Sequence, residues 1–245
     1  IRDRYMFYKK SLLIIVSFFV LLSCNEELKT TFIEINITTD NNKLVEINIP
    51  NAIGTDLISV NINSEISKVV IAELHVGEAD SSTSKSIEES ITLFNDEYND
   101  FNTDFPDSTA PWEVQIDGEI LFESSEIISI AITSYMNTGG AHGITNISFI
   151  NFDAATGNRI PNNKLFKNEA AFKAAAKPYY EAALNEDDII FDPDNFQLPA
   201  NLGYNEEGII LLYNTYEIAA YSTGIIDFTI PIDKVSSFLV FKGSK

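Results

Sequence analysis

Residues 127–152 read IISIAITSYMNTGGAHGITNISFINF. Ile127 to Tyr135 and Ile144 to Phe152 are rich in isoleucine, threonine and aromatic residues, which fit a pleated, half-buried surface. Both segments are therefore expected to be strands. Between them Asn137-Thr138-Gly139-Gly140-Ala141-His142-Gly143 breaks the apolar pattern. Two adjacent glycines permit positive φ, so the backbone can bend sharply between the strands. Ala141 is small enough for close packing, and His142 is held at a sheet end.

Working outward, Trp112 to Ile116 alternates apolar and polar residues. Asp117-Gly118 then reads as a hairpin turn before Glu119 to Phe122. Upstream, Ile62, Ile66, Val69, Val70 and Leu74 follow helical spacing, as do Ile87, Ile91, Phe94, Tyr98 and Phe101. Ser86 and Glu89 are spaced as a capping box for the second of these helices. Phe32 to Ile37 and Leu44 to Ile49 alternate as strands around the turn-like Asp40-Asn41-Asn42, and Pro50 is expected to end the second strand.

Downstream, Thr156-Gly157 is a turn, and Glu169 to Leu184 reads as a helix with Phe172, Ala176, Tyr179 and Ala183 on one face. Pro178 should kink or split it. Phe191 to Gly208 reads as loop, with Ile209 to Tyr213, Tyr216 to Ala219 and Gly224 to Ile230 as strands. Strands, two helices, strands, a helix and strands make an α+β chain. Antiparallel or mixed sheets with helices packed on one face, in two closely associated subdomains, are expected.

The N-terminal stretch points to a compartment. Lys9 and Lys10 precede a 12-residue apolar run, Ser11 to Leu22, which ends at Leu21-Leu22-Ser23-Cys24. A basic region, a short apolar core and a small residue before the cut mark a secretory signal. The run is too short for a spanning helix, which needs about 20 residues. Leu-Leu-Ser-Cys resembles the lipobox of bacterial lipoproteins, which implies acylation of Cys24, the chain's only cysteine. The expected organisation is a signal over 1–23, a lipidated tether over 24–31, an N-terminal α+β subdomain over 32–110 and a C-terminal α+β domain over 111–245. Asn25-Glu26-Glu27 after the cysteine suggests an outer-membrane lipoprotein of the cell envelope, facing outward.

Without residues 1–23 the chain keeps 12 Lys and Arg against 35 Asp and Glu, a formal charge of −23. Such a body repels nucleic acid and anionic lipid and attracts cations; solubility alone would also explain it.

The segment Tyr135-Met136-Asn137-Thr138-Gly139-Gly140-Ala141-His142 resembles the Tyr-x-x-x-Gly-Gly-Ala-His signature of a bacterial family of unknown function. That domain forms the C-terminal part of the lysozyme-sensing anti-sigma factor RsiV and accompanies the catalytic domain of PdaC-type peptidoglycan deacetylases. Asn151-Phe152-Asp153 with Thr156-Gly157, Leu165-Phe166, Phe196-x-Leu198-Pro199 and Tyr213 to Gly224 follow the family pattern in order. Residues 32–110 look more weakly like the domain that usually precedes it. The closing motif departs in one place, where Ala220 replaces a frequent proline. The resemblance implies a binding module and marks Tyr135, Gly139, Gly140, His142, Tyr216 and Tyr221 as candidate binding residues. His142 reads either as a structural histidine or as a contact, and the three tyrosines either as core or as contacts.

No catalytic motif is evident. Gly-x-Ser-x-Gly, P-loop and Gly-x-Gly-x-x-Gly sequences are absent. Two histidines make a zinc site of three or four ligands a poor fit. The acidic Asp187-Asp188 and Asp192-x-Asp194 lack the calcium-loop pattern of an EF-hand. No cofactor, metal or enzymatic activity is expected. The expected role is a lipid-anchored envelope module recognising a cationic, lysozyme-like muramidase as sensor or inhibitor. Binding of cell-wall glycan and an unrecognised hydrolase are the alternatives.

Overall fold

The computed structural model describes residues 30–77, 84–108, 110 and 112–243. The signal, Cys24 and most of the tether lie outside the described residues. Eight strands and four α-helices are described: β1 Phe32–Asn36, β2 Val45–Ala52, α1 Leu57–Glu73, α2 Ile87–Asp104, β3 Trp112–Glu123, β4 Ile127–Thr138, β5 Ile144–Asp153, α3 Glu169–Ala183, β6 Asn201–Tyr204, β7 Gly208–Tyr213, β8 Ile226–Pro231 and the single turn α4 Ile232–Val235. The fold is α+β, as expected. One sheet has five strands in chain order, parallel only between β2 and β3, and the other is a three-stranded antiparallel sheet, β6-β7-β8.

The two helices between β2 and β3 are the crossover that parallel pairing requires. Asp56 caps α1 by accepting a hydrogen bond from the Ser59 N–H at 2.8 Å. Ser86 does the same for α2 with the Glu89 N–H at 3.1 Å. The apolar stripes of both helices face the large sheet, where Ile62, Ile66, Val70, Ile91 and Phe94 are buried with Ile47, Ile116, Ile130 and Ile132. Phe94, Tyr98 and Phe101 of α2 surround the Trp112 indole at 5.5, 5.8 and 5.4 Å between ring centroids.

A second core lies beyond the sheet. Phe172, Ala176 and Tyr180 of α3 pack with Leu202, Tyr204, Leu211, Tyr213 and Ile230 of the small sheet, and with Phe122 and Ile127 of the large one. The sheet thus serves both cores. Its register shifts between Ile120 and Phe122, and the bulge turns Phe122 from the helix side to the second core. The division expected at 110/111 falls just before β3, whose strand neighbours come from both sides of it.

Six local expectations need correction. Asp117-Gly118 is no hairpin: β3 runs straight through it, and Gly118 pairs with Ile132. The glycine is needed for a close approach, since a Cβ there would lie 2.4 Å from Pro50 Cδ. Pro50 does not end β2; it sits beyond Asn48, where the ladder to β3 has stopped, so its missing N–H leaves no gap in that ladder. Pro178 does not split α3, and Tyr180 rather than Tyr179 is the buried tyrosine of that helix. The 191–208 segment contains β6, buried at all four residues. Tyr216 to Ile218 is turn and bend and not a strand, and Ala219 makes only an isolated bridge, to Ile190.

Candidate functional site

The bend between β4 and β5 depends on Gly139, whose φ is 85°. Its N–H donates to Asn137 Oδ1 at 2.9 Å. A Cβ at this position would come within 2.9 Å of Ala110 Cβ and 3.3 Å of the Trp112 indole nitrogen. Gly140 is exposed and meets nothing closer than 3.7 Å. Gly143, by contrast, is buried under the Tyr135 ring, which a Cβ would approach to 2.4 Å. The candidate Tyr135 therefore acts as the lid on Gly143, and Gly143 is the residue that sequence reasoning missed.

The other half of the site comes from the far end of the chain. Glu217 N–H donates to Asn214 O at 3.0 Å, closing a turn in which Tyr216 has φ 71°. Glycine or asparagine normally takes that third turn position, and a tyrosine there carries backbone strain. Two clamps hold the turn. Glu217 accepts hydrogen bonds from the N–H of Asn214 at 2.9 Å and of Ala200 at 2.8 Å. The Asn214 amide pairs with both main-chain groups of Ile147 in β5, at 2.9 and 2.8 Å. Strain held by such over-determined surroundings is a recurrent mark of functional sites.

These clamps bring the two loops together. The Tyr221 hydroxyl donates to Gly143 O at 3.1 Å. The exposed His142 ring lies on the Tyr221 ring, 3.8 Å between centroids and 17° from parallel. Tyr216 stands 5.7 Å from Tyr221 and is 53% exposed. His142, Tyr216, Tyr221, Gly139 and Gly140 thus share one end of the large sheet, with Tyr135 half-buried beneath them. The surface offers stacking faces, an imidazole and exposed backbone.

A second polar cluster lies on the helix side of the same sheet. Glu73 at the end of α1 accepts from Ser134 Oγ at 2.6 Å, Asn146 Nδ2 at 2.7 Å and Ser148 Oγ at 3.3 Å. With three donors on one carboxylate, the cluster acts as a pin between α1 and β4–β5. Among the described residues no three His, Cys, Asp or Glu side chains converge to hold a metal ion, and no helix is long and apolar enough to cross a membrane.

Residues 37–145 match the family model described as Deacetylase PdaC, and residues 163–233 match the one described as Protein of unknown function (DUF3298). Two solved structures are similar over most of the chain. One is a member of the DUF3298 family from Bacteroides fragilis NCTC 9343, with TM-score 0.64 and 19% identity, covering 87% of this chain and 94% of that one. The other is a DUF3298 family protein from Pseudomonas aeruginosa PAO1, with TM-score 0.55 and 19% identity, covering 87% and 95%. At that identity the likeness is one of fold. No curated protein matches the chain.

Proposed function

We propose, for a chain that carries a PdaC-type and a DUF3298 domain, that it is a binding module of the bacterial envelope, lipid-anchored through Cys24 and without catalysis of its own. The observation that carries this reading is the stack of His142 on Tyr221 at 3.8 Å, which joins two loops distant in sequence into one exposed surface. Loops fixed on a sheet are suited to recognition, and a few aromatic anchors commonly supply most of an interface's energy. The partner is a cationic protein of the lysozyme-like muramidase kind. The acidic body speeds the encounter, and the loops hold the partner once it has arrived.

The test is binding kinetics on immobilised lysozyme. His142→Ala with Tyr221→Ala should raise the off-rate by about 30-fold, the equivalent of one hot spot of about 2 kcal/mol. Added salt should act mainly on the on-rate. An unchanged off-rate in a double variant that melts like the parent defeats the assignment. The envelope location has its own test: Cys24→Ser should abolish lipid labelling and release the protein from the outer-membrane fraction.

Glycan binding has one observation in its favour. An open cleft between the β1–β2 turn and α2 is lined by Asn41, Lys43, Thr92, Asn95 and Asn99 around Tyr98, and amides beside an aromatic ring suit sugar hydroxyls. Retention on insoluble peptidoglycan that Tyr98→Ala abolishes and the loop variant leaves intact would favour that reading.

A further inference from the structure

From Pro178 to Asp233 the chain has 11 Asp and Glu and not one Lys or Arg. The segment includes the Tyr216–Tyr221 loop, and Ser86 to Asn158, which includes the Gly139–Gly143 bend, likewise has 13 Asp and Glu and no Lys or Arg, so both loops of the site belong to purely acidic runs. Within the Pro178–Asp233 run, the stretch after α3 pairs with the Tyr216–Tyr221 loop. Phe191 N–H donates to Ile218 O at 2.9 Å, and Ile190 bridges antiparallel to Ala219. Extended chain alternates its side chains. Ile190 turns inward onto the second core, together with Ile218. Its neighbours Ile189 and Phe191 turn outward and are 67% and 62% exposed.

One exposed apolar residue needs no explanation. Here Ile189, Phe191 and Tyr216 border a single paired segment, and Glu186, Asp187, Asp192 and Asp194 flank it, all exposed. Apolar centre and charged rim is the anatomy of an interface. We infer that Ile189, Phe191 and Tyr216 form a docking strip beside the His142–Tyr221 stack, and that it takes a folded protein with a lysine- and arginine-rich surface. The inference deepens the proposed function and rests on it. The charge of the strip selects the occupant: the carboxylate rim repels anionic lipid headgroups and acidic proteins and attracts basic ones.

The experiment measures binding of the full chain, in detergent, to hen egg-white lysozyme and to the similarly sized but acidic α-lactalbumin. Ile189→Ser with Phe191→Ser should weaken lysozyme binding at least tenfold, by loss of two apolar contacts. Leu57→Ser with Val60→Ser, on the exposed side of α1, should leave it unchanged. Both variants should keep the parent's melting temperature, because all four positions are exposed. Glu186→Gln, Asp187→Asn and Asp194→Asn combined should slow the on-rate and flatten its dependence on salt. Equal binding of α-lactalbumin, or full affinity in the Ile189/Phe191 variant, overturns the strip. If the His142/Tyr221 variant is then still impaired, the loop reading stands and only the strip falls. No binding of lysozyme by the parent chain at low salt overturns both.

Discussion

At Gly143 the methyl that any other residue would add falls on the Tyr135 ring, 2.4 Å away. The Gly143 backbone cannot retreat freely, because its carbonyl oxygen holds the Tyr221 hydroxyl. Gly143→Ala should destabilise the protein by about 1–3 kcal/mol, as overpacking of a closed site does. Gly140→Ala, in open space, should change stability by less than about 0.5 kcal/mol. Paired denaturant titrations check both, and equal effects would count against this account of the bend. The need for Gly139 was legible in the sequence, because a strand interruption with paired glycines announces positive φ. The need for Gly143 was not, because it comes from a ring eight residues earlier. Tyr216 was legible only as an aromatic residue in a distinctive motif. Its left-handed backbone follows from the clamps around it, whose partners Ile147 and Ala200 are remote.

At the scale of elements, the outer edge of β5 is closed by side chains instead of a sixth strand. Asn214 pairs with Ile147, Asn201 Oδ1 accepts from Phe149 N–H at 3.0 Å, and Asn151 reaches back to Leu202 O at 2.7 Å. An open edge exposes unpaired N–H and C=O groups to stray pairing, and these amides occupy several of them. Asn214→Ala should lose about 2 kcal/mol, from two hydrogen bonds and a main-chain pair left unmet. It should also free the Tyr216 turn, so that the proposed binding of lysozyme should weaken although Asn214 lies beneath the proposed contact surface. Amide hydrogen exchange at Ile147 checks the edge directly: unchanged protection in the variant would contradict the clamp. The helices and long strands could be read because their periods span many residues. β6 could not, because Asn201-Leu-Gly-Tyr has little strand character and is buried by its position between β7 and the large sheet. Gly118 misled for the opposite reason: a turn dipeptide stands where Pro50 crosses closely.

For the molecule as a whole, the small sheet buries two phenols. Burial, reinforced by nearby Glu126, holds the Tyr204 hydroxyl well above the ordinary phenol value of 10; burial, with Tyr180 and Glu217, does the same for Tyr213. Both hydroxyls donate to carbonyls, of Phe241 and Gln197 respectively. The sign follows directly. A folded state that keeps a phenol neutral retains this stability below pH 10 and loses it as the pH rises beyond, since the unfolded chain ionises first. Stability should therefore decline above about pH 10, with part of the tyrosinate absorbance appearing only on unfolding. Tyr204→Phe with Tyr213→Phe should flatten that alkaline decline. A parent whose phenols all ionise before the fold is lost would refute it. Neither pH response was readable beforehand, because no local pattern separates these two tyrosines from the other eight.

Trp112 is the only tryptophan of the chain. Its indole is packed among three aromatic rings of α2 on one side and lies beside Gly139 on the other. The protein thus carries a built-in fluorophore at the root of the bend that presents His142. Emission from so enclosed an indole should be blue-shifted and partly quenched by its neighbours. A partner that shifts the bend should alter intensity or wavelength without any attached dye. Ligand screening by intrinsic fluorescence then has a spatial meaning: a signal reports the His142 end of the sheet or the α2 side of the first core, while an event confined to α3 and the small sheet stays dark.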